Sequence, residues 1–465
     1  MDQNENMLLF AEDAVDAARI GAIDQLHHAT AIYTAEPIVD ELLSRLNWPC
    51  GENKFLDPSA GDGMVIGRAL TKALSIGHIA DDLLPQIMEG WEIHPHACSQ
   101  ARARIVAILI AHGRSRDTAA MLASEIMRNA DFLTDAPTEA SFHTIAGNPP
   151  YLRWLNVPEL LREDYARHVP PYASSDLCHS FLDRCAKTLH EGGEIGFITS
   201  DRWLFNLNAS QLRQSLGERL SIQHLERLDP STAFYRPKQR RAGMPPRIHP
   251  VKVILGFGPG NELTKEAIYP GADTKKYAGM PTLGDVANIR IAPWLGSAGV
   301  FLLTAAEAAA SGIPGHLLVP AVDTDDIVEF TLKAPTRFAI LTRPKEEPCL
   351  AIKRHLDLNM GKMAKRGQVG NYQPPESFHA FDLSKPSLLV PRIARTPKAV
   401  RVPASVLPVN HNISIVTGDA ETLNLVEAAL QSDVALEWMQ QHAARLENGF
   451  FSLTTTLLRR LPIAI

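Results

Sequence analysis

From residue 54 to residue 257 short apolar runs alternate with longer segments of helical period, and few architectures accommodate that rhythm. Residues 54–57, 87–93, 143–148, 194–199, 222–228 and 251–257 read as strands, and residues 64–76, 95–112, 177–189 and 211–220 as helices. A helix between two strands carries the chain back across the sheet face, so neighbouring strands run parallel. The expectation is an α/β fold with a parallel, doubly wound sheet, which takes its ligand beyond the carboxyl ends of its strands, at the switch point. Two helices are expected ahead of it: an amphipathic one over residues 7–28, and one over 38–46 with Pro37 suited to its first turn.

At 465 residues the chain exceeds one compact core, so two domains are expected. Residues 256–285 are dense in Gly, Pro and charge (Gly258-Pro259-Gly260, Pro270-Gly271, Gly279-Met280-Pro281). The expected division is a catalytic domain at 1–258, a linker at 259–285 and a second domain at 286–465, less regular, rich in Pro and Val, and ending in a helical stretch over 421–446. No apolar run approaches the roughly 18 residues of a membrane span. Residues 1–10 lack a basic n-region and an apolar h-region, so a cytoplasmic protein is expected. Five scattered cysteines (Cys50, Cys98, Cys178, Cys185, Cys349) form no CxxC pair, which argues against a zinc site or a disulfide framework; they are expected as reduced, mostly buried thiols, with no metal.

Three segments carry chemistry. Asp57-Pro58-Ser59-Ala60-Gly61-Asp62-Gly63 joins a strand to a helix with residues small enough for a ligand to approach the backbone. Its glycines do not have the G-x-G-x-x-G spacing, and it lacks the Lys-Ser/Thr of a phosphate loop. Two aspartates suit a cationic sulfonium cofactor better than a phosphate. About 30 residues on, Trp91-Glu92-Ile93 places a carboxylate where both hydroxyls of a ribose could be accepted. Asp131-Phe132 then offers an acceptor for an adenine amine and a ring to pack on the base. The third segment, Asn148-Pro149-Pro150-Tyr151, follows an apolar strand, and its two prolines hold it extended and rigid. An aromatic or amide nitrogen has a delocalised lone pair. Acceptors drawing on its two N–H bonds make it nucleophilic, and the Asn148 side-chain oxygen and the Pro149 carbonyl can be those acceptors. Tyr151 supplies a face for stacking a base.

Together these residues resemble the adenine-specific N6 amino-methyltransferases of DNA. Asp57 to Gly63 is similar to motif I of that family, Glu92 to motif II, Asp131-Phe132 to motif III and Asn148 to Tyr151 to the catalytic motif IV. Upstream, Ile32-Tyr33-Thr34-Ala35-Glu36-Pro37 resembles motif X, with Ala35 where the family usually has proline. That order is the gamma class. Ala233-Phe234-Tyr235 resembles motif VIII, whose aromatic packs on the flipped base; Phe234 is the choice and Tyr235 its rival. Beyond residue 283, Leu283 to Thr304, Pro391-Arg392-Ile393 and the tail from Phe450 to Ile463 are similar to target-recognition regions of Eco57I-type restriction-modification methyltransferases. The resemblance covers nearly the whole chain, most densely residues 30–152.

The resemblance implies a Rossmann-like S-adenosylmethionine-dependent methyltransferase sheet and a C-terminal mixed α+β target-recognition domain. It implies S-adenosylmethionine as cofactor, held by Thr34, Asp57, Pro58, Ala60, Gly61, Gly63, Glu92, Ile93, Asp131, Phe132 and Asn148. Catalysis would fall to Asn148, Pro149 and Tyr151, on an adenine flipped from duplex DNA and stacked by Tyr151 and Phe234. Net charge is −6, yet residues 331–401 hold 14 Lys+Arg against five Asp+Glu, and Arg236, Lys238, Arg240, Arg241, Arg247 and Lys252 form a knot without an acid. Arg236, Lys238, Arg240, Arg241, Arg392, Arg395, Lys398 and Arg401 are the candidate DNA contacts. A monomer is expected, away from membranes, with a restriction endonuclease encoded elsewhere as partner. Two alternatives stay open: an Asn-Pro-Pro-Tyr methyltransferase acting on RNA or protein glutamine, since an amide nitrogen poses the same problem, and a non-catalytic DNA-binding specificity subunit.

Overall fold

The computed structural model describes residues 3–137, 139–235, 249–270, 276–363, 372–446 and 449–464. The chain divides into two compact units, residues 1–271 and 272–465. That division falls within the expected linker, residues 259–285. Its first half belongs to the first unit: Asn261–Glu262 pairs with Ser221–Arg227, the Ile268 amide donates to the Leu204 carbonyl (2.8 Å), and Arg213 donates to the Lys265 and Glu266 carbonyls. Its second half belongs to the other, where Thr282 and Asp285 form a capping box and the Leu283 amide donates to the Leu461 carbonyl (2.9 Å).

In the first unit the sheet is built from β1 (Phe55–Asp57), β2 (Met88–Trp91), β3 (Met127–Arg128), β4 (Phe142–Gly147), β5 (Leu189–Ser200), β6 (Ser221–Arg227) and β7 (Pro250–Gly256), with Asn261–Glu262 added at the β6 edge. Their order is β6-β7-β5-β4-β1-β2-β3. β5, β4, β1, β2 and β3 are parallel. β7 departs from the expected all-parallel pattern, running antiparallel between β5 and β6. A parallel pairing needs a crossover helix, and between β6 and β7 the described residues supply only the short Pro230–Ala233 turn of helix and the two-residue strand Phe234–Tyr235.

The longer helices of this unit among the described residues are α1 (Gln3–Thr30), α2 (Glu36–Ser44), α3 (Met64–Ile76), α4 (Pro95–Ala111), α5 (Arg116–Ile126), α6 (Leu177–Thr188) and α7 (Ser210–Gly217). Strand residues alternate between two cores. Leu56, Ile195, Phe197, Val251, Val253 and Leu255 face the core shared with α6 and α7, whereas Phe55, Ile198 and Ile254 face the core shared with α2 to α5. Sheet order reverses between β1 and β4, so the Asp57–Gly63 loop and the Asn148–Tyr151 loop leave adjacent carboxyl ends and flank one crevice.

Lys252 corrects the basic knot. It lies within β7, fully buried, its ammonium 2.5 Å from Glu41 and 2.8 Å from Glu226. It is an internal counter-ion. Arg236, Lys238, Arg240, Arg241 and Arg247 lie outside the described residues.

The second unit is mixed α+β. One antiparallel sheet orders Asn288–Ile291, Ile413–Thr417, Ser387–Pro391 and Val400–Val402. Another orders Leu302–Thr304, Arg337–Ile340, Leu318–Val322 and Leu407–Pro408, the last pair parallel. The expected long helix at 421–446 is two, Ala420–Leu430 and Asp433–His442, because Ser432 accepts the Ala435 N–H and starts a new N-terminus. Among the described residues no helix is long and apolar enough to cross a membrane. All five cysteines are free, with Cys98, Cys178 and Cys185 buried and Cys50 exposed.

Candidate active site

Tyr33–Thr34 pairs antiparallel with Phe234–Tyr235, Thr34 opposite Phe234. This two-residue ladder joins segments far apart in the chain and places both at the crevice. The Ala35 amide donates to the Ala233 carbonyl (2.9 Å) and extends the junction. Thr34 is buried, and its hydroxyl has no hydrogen-bond partner.

The loop after β1 turns tightly, with Gly61 at φ 56° and Gly63 at φ 82°. A Cβ on Gly63 would come 2.7 Å from the Ala101 Cα, so only glycine lets α4 pack here. The Ala60 N–H donates to the Trp91 carbonyl and the Gly61 N–H to Glu92 Oε2, both 2.8 Å. Glu92 Oε1 accepts the His94 N–H (2.8 Å). The carboxylate placed by sequence for ribose hydroxyls thus also ties the ends of β1 and β2 together, using one acceptor position on each oxygen and leaving the other.

A crevice opens over these loops. Thr34, Pro58, Ala60, Gly61, Glu92, Ile93, Asp131, Phe132 and Asn148 all line it. Asp57 and Gly63, the other two residues assigned to the cofactor, do not line it and lie behind. Asp57 is wholly buried and accepts the Ser59 N–H (3.3 Å).

Burial raises three carboxyls in this region. It pushes Asp57 up to about 8, with the charges of Glu92 and Asp62 adding to the shift. Glu92 rises to about 7 and Asp131 to about 6. Asp62 Oδ2 is held by Arg104 (2.9 Å) and the Tyr235 hydroxyl, and its Oδ1 is buried without a partner. Orphaned acceptors on Thr34 and Asp62, together with carboxyls held partly neutral by burial, suit a cationic ligand bearing hydroxyl and amino donors. The residues fit S-adenosylmethionine.

Several lining residues went unnoticed in the sequence. Phe181 of α6 stacks on Phe132 (ring centroids 5.7 Å apart, 23° between planes), which meets Trp91 edge-on at 5.9 Å. Tyr165 and, from α1, Leu26, His27 and Thr30 complete the wall. Phe181 lies on one stripe with Leu177, Cys178 and Leu182, so at sequence level it is indistinguishable from core.

At the other side Asn148 is clamped. Its Nδ2 donates to the Ile32 carbonyl (2.9 Å), which fixes the amide orientation, and its Oδ1 meets the Tyr151 hydroxyl. The Tyr151 hydroxyl also reaches the Ile198 carbonyl (2.6 Å). Buried Phe234 faces the Tyr151 ring at 6.4 Å and 62°, edge to face. Tyr235, its rival, is partly exposed and turned to Asp62. Only Phe234 therefore stands against Tyr151.

The four described candidate DNA contacts differ among themselves. Arg392 is partly buried and donates to the His411 carbonyl (2.6 Å). Arg401 is ion-paired with Glu427 (2.8 Å). Arg395 and Lys398 are exposed, lying over the rings of Phe450 (4.9 Å) and Phe330 (4.4 Å).

Comparison with known proteins places this geometry. Residues 100–234, which include Asp131, the Asn148 loop and Phe234, match the family model described as Eco57I restriction-modification methylase. The chain is 25% identical to the type II methyltransferase M.XhoI of Xanthomonas vasicola, covering 93% of this chain and 90% of that protein. It is also 25% identical to M.PaeR7I of Pseudomonas aeruginosa, covering 93% and 85%. Its fold is similar to that of the type IIL restriction-modification enzyme MmeI, solved in complex with DNA, with a TM-score of 0.56 at 13% identity over 97% of this chain and 66% of that one. What the two share is the fold, a mixed α/β architecture around a multi-strand sheet. Residues 100–234 are thus similar to Eco57I restriction-modification methylases, and most of the chain is similar to type II methyltransferases.

Proposed function

We propose that this chain is a site-specific DNA methyltransferase that acts on the exocyclic amino group of adenine in duplex DNA, with S-adenosylmethionine as methyl donor and the target nucleotide flipped out of the helix. The observation that carries the reading is Asn148, whose amide is oriented by the Ile32 carbonyl at the rim of a crevice lined by Thr34, Glu92 and Asp131. When bound, S-adenosylmethionine supplies an electrophilic methyl group on a sulfonium.

Every other part of the reaction falls to the chain's own residues. Glu92 and Asp131 bind hydroxyl and amino donors, and Trp91, Phe132 and Phe181 exclude water from the apolar part of the crevice. The Tyr151 hydroxyl has a single proton. Shared between Asn148 Oδ1 and the Ile198 carbonyl, it occupies at most one lone pair of Oδ1 and leaves the other to accept a hydrogen bond from one amine N–H. The Pro149 carbonyl accepts the other, so the nitrogen lone pair turns toward the methyl group without a strong base. Tyr151 and Phe234 pack on the extruded base, which offsets the few kcal/mol of unstacking. The relatives named above are methyltransferases of restriction-modification type, which favours DNA over RNA or protein glutamine. Intact Asn148 and Tyr151 favour an enzyme over a specificity subunit.

The test is to express the chain in a methylation-free host and sequence the host DNA with detection of modified bases. Methylated adenine at one recurrent sequence, absent with Asn148→Ala, is expected. Unmodified DNA together with methylated RNA or protein would overturn the reading.

A further inference from the structure

Ile327–Val328 and Thr331–Leu332 pair as a two-residue hairpin, with Glu329 and Phe330 at its tip. Both tip residues have positive φ, 49° and 61°. That is the backbone of a type I′ turn, which ordinarily takes Asn-Gly because a β-carbon is crowded there. A bulky aromatic at such a φ is an outlier, and outliers of this kind persist where the surroundings over-determine them. Here they do. The Lys333 N–H donates to the Asp326 carbonyl (2.8 Å), and Arg337 is ion-paired with Asp326 (2.5 Å) and Asp323 (3.7 Å) at the hairpin's base.

The strained turn holds Phe330 half exposed, at 50%. The Lys398 ammonium lies 4.4 Å from its ring centroid, and Arg395, three residues earlier, lies over Phe450. Among the described residues neither cation has an ion-pair partner, in contrast to Arg401. The result is two exposed cations, three residues apart in the chain, each set over an aromatic ring. Cations complement phosphates, and a rigid ring beside them matches the base edges and steps that phosphates flank.

We infer that the hairpin tipped by Phe330 is a duplex-reading element: the ring packs against base edges or wedges a base step, and Lys398 and Arg395 hold the neighbouring phosphates. This rests on the proposal that the chain acts on DNA. The Phe330 ring, not the cations alone, is the contact that distinguishes one sequence from another.

The test is a fluorescence-anisotropy titration of the full chain on duplexes with and without its methylation sequence, across a salt series. Phe330→Gly removes the ring where glycine is the favoured residue, so Tm is expected unchanged or raised. Its affinity for the target duplex falls about ten-fold or more, and the salt slope stays as in the parent. Phe330→Tyr keeps the affinity. Lys398→Ala lowers the salt slope by about 0.9 and weakens target and non-target duplexes alike. A parent chain that binds the duplex while Phe330→Gly binds it equally well overturns the inference and leaves the proposed function standing; equal losses in Phe330→Gly and Phe330→Tyr overturn it too. A parent chain that binds no duplex overturns both.

Discussion

Asn148→Asp isolates the orienting bond from the acceptor it orients. The substitution keeps an oxygen facing Tyr151 and replaces the Nδ2 donor with a second oxygen, 2.9 Å from the Ile32 carbonyl. Two acceptors then face each other, so the carboxylate either swings away or takes up a proton. A partly buried acceptor left without its donor costs about 1–3 kcal/mol, which corresponds to a roughly 5- to 150-fold loss in the methyl-transfer rate if the misorientation persists in the transition state. The sign of the pH dependence follows. Once protonated, the introduced carboxyl can donate to the Ile32 carbonyl again, so activity relative to the parent should rise as pH falls. Single-turnover transfer of a radiolabelled methyl group to a target duplex, followed from mildly acidic to mildly basic pH, reads this, with cofactor affinity measured separately because Asn148 also lines the crevice. Parent-like transfer at the basic end, or a loss independent of pH, would refute the orienting role.

Further expectations follow from the buried charges. Burial holds Asp57, Glu92 and Asp131 near 8, 7 and 6, and a cationic ligand favours their ionised forms. Binding of S-adenosylmethionine at neutral pH should therefore release on the order of one proton, seen as a calorimetric enthalpy that varies with buffer ionisation; a buffer-independent enthalpy contradicts it. The folded pKa of Asp57 lies above its unfolded value, so the cofactor-free protein loses stability as pH rises from 3.8 to about 8. Asp57→Asn should accordingly raise Tm at the upper end of that window and leave it little changed at the lower end. Lys252→Met leaves Glu41 and Glu226 facing each other without their shared cation. Lys252 holds both carboxyls below their ordinary range, a contribution present above pH 4.5 and lost as pH falls. The variant's Tm should drop by several degrees at neutral pH and by less in acid, and a uniform drop across pH would point to packing instead.

Which parts of the site were legible in sequence follows from how local each part is. The Asp57–Gly63 loop, Glu92, Asp131 and the Asn148 loop each sit directly after a strand, where a short run of small, acidic or proline residues is its own signal. Phe181 and the α1 residues carry no such signal, because a residue that lines a crevice from a helix has the same periodicity as one that faces a core. The antiparallel course of β7 and the burial of Lys252 were also out of reach. Both depend on which strand lies beside which, and a lysine in an apolar run looks like an edge until Glu41 and Glu226 are found against it.

By itself the sequence determined the doubly wound sheet and the order of the loops at its carboxyl edge, since periodicity and turn residues act over a few positions. Only the tertiary structure decided that Thr34 meets Phe234, that the Ile32 carbonyl aims Asn148, that the expected linker is split between two units, and that Phe330 stands out beside Lys398. Each of those joins residues distant in the chain, brought together by burial of the cores and by closure of backbone hydrogen bonds, and no local pattern encodes such a pairing.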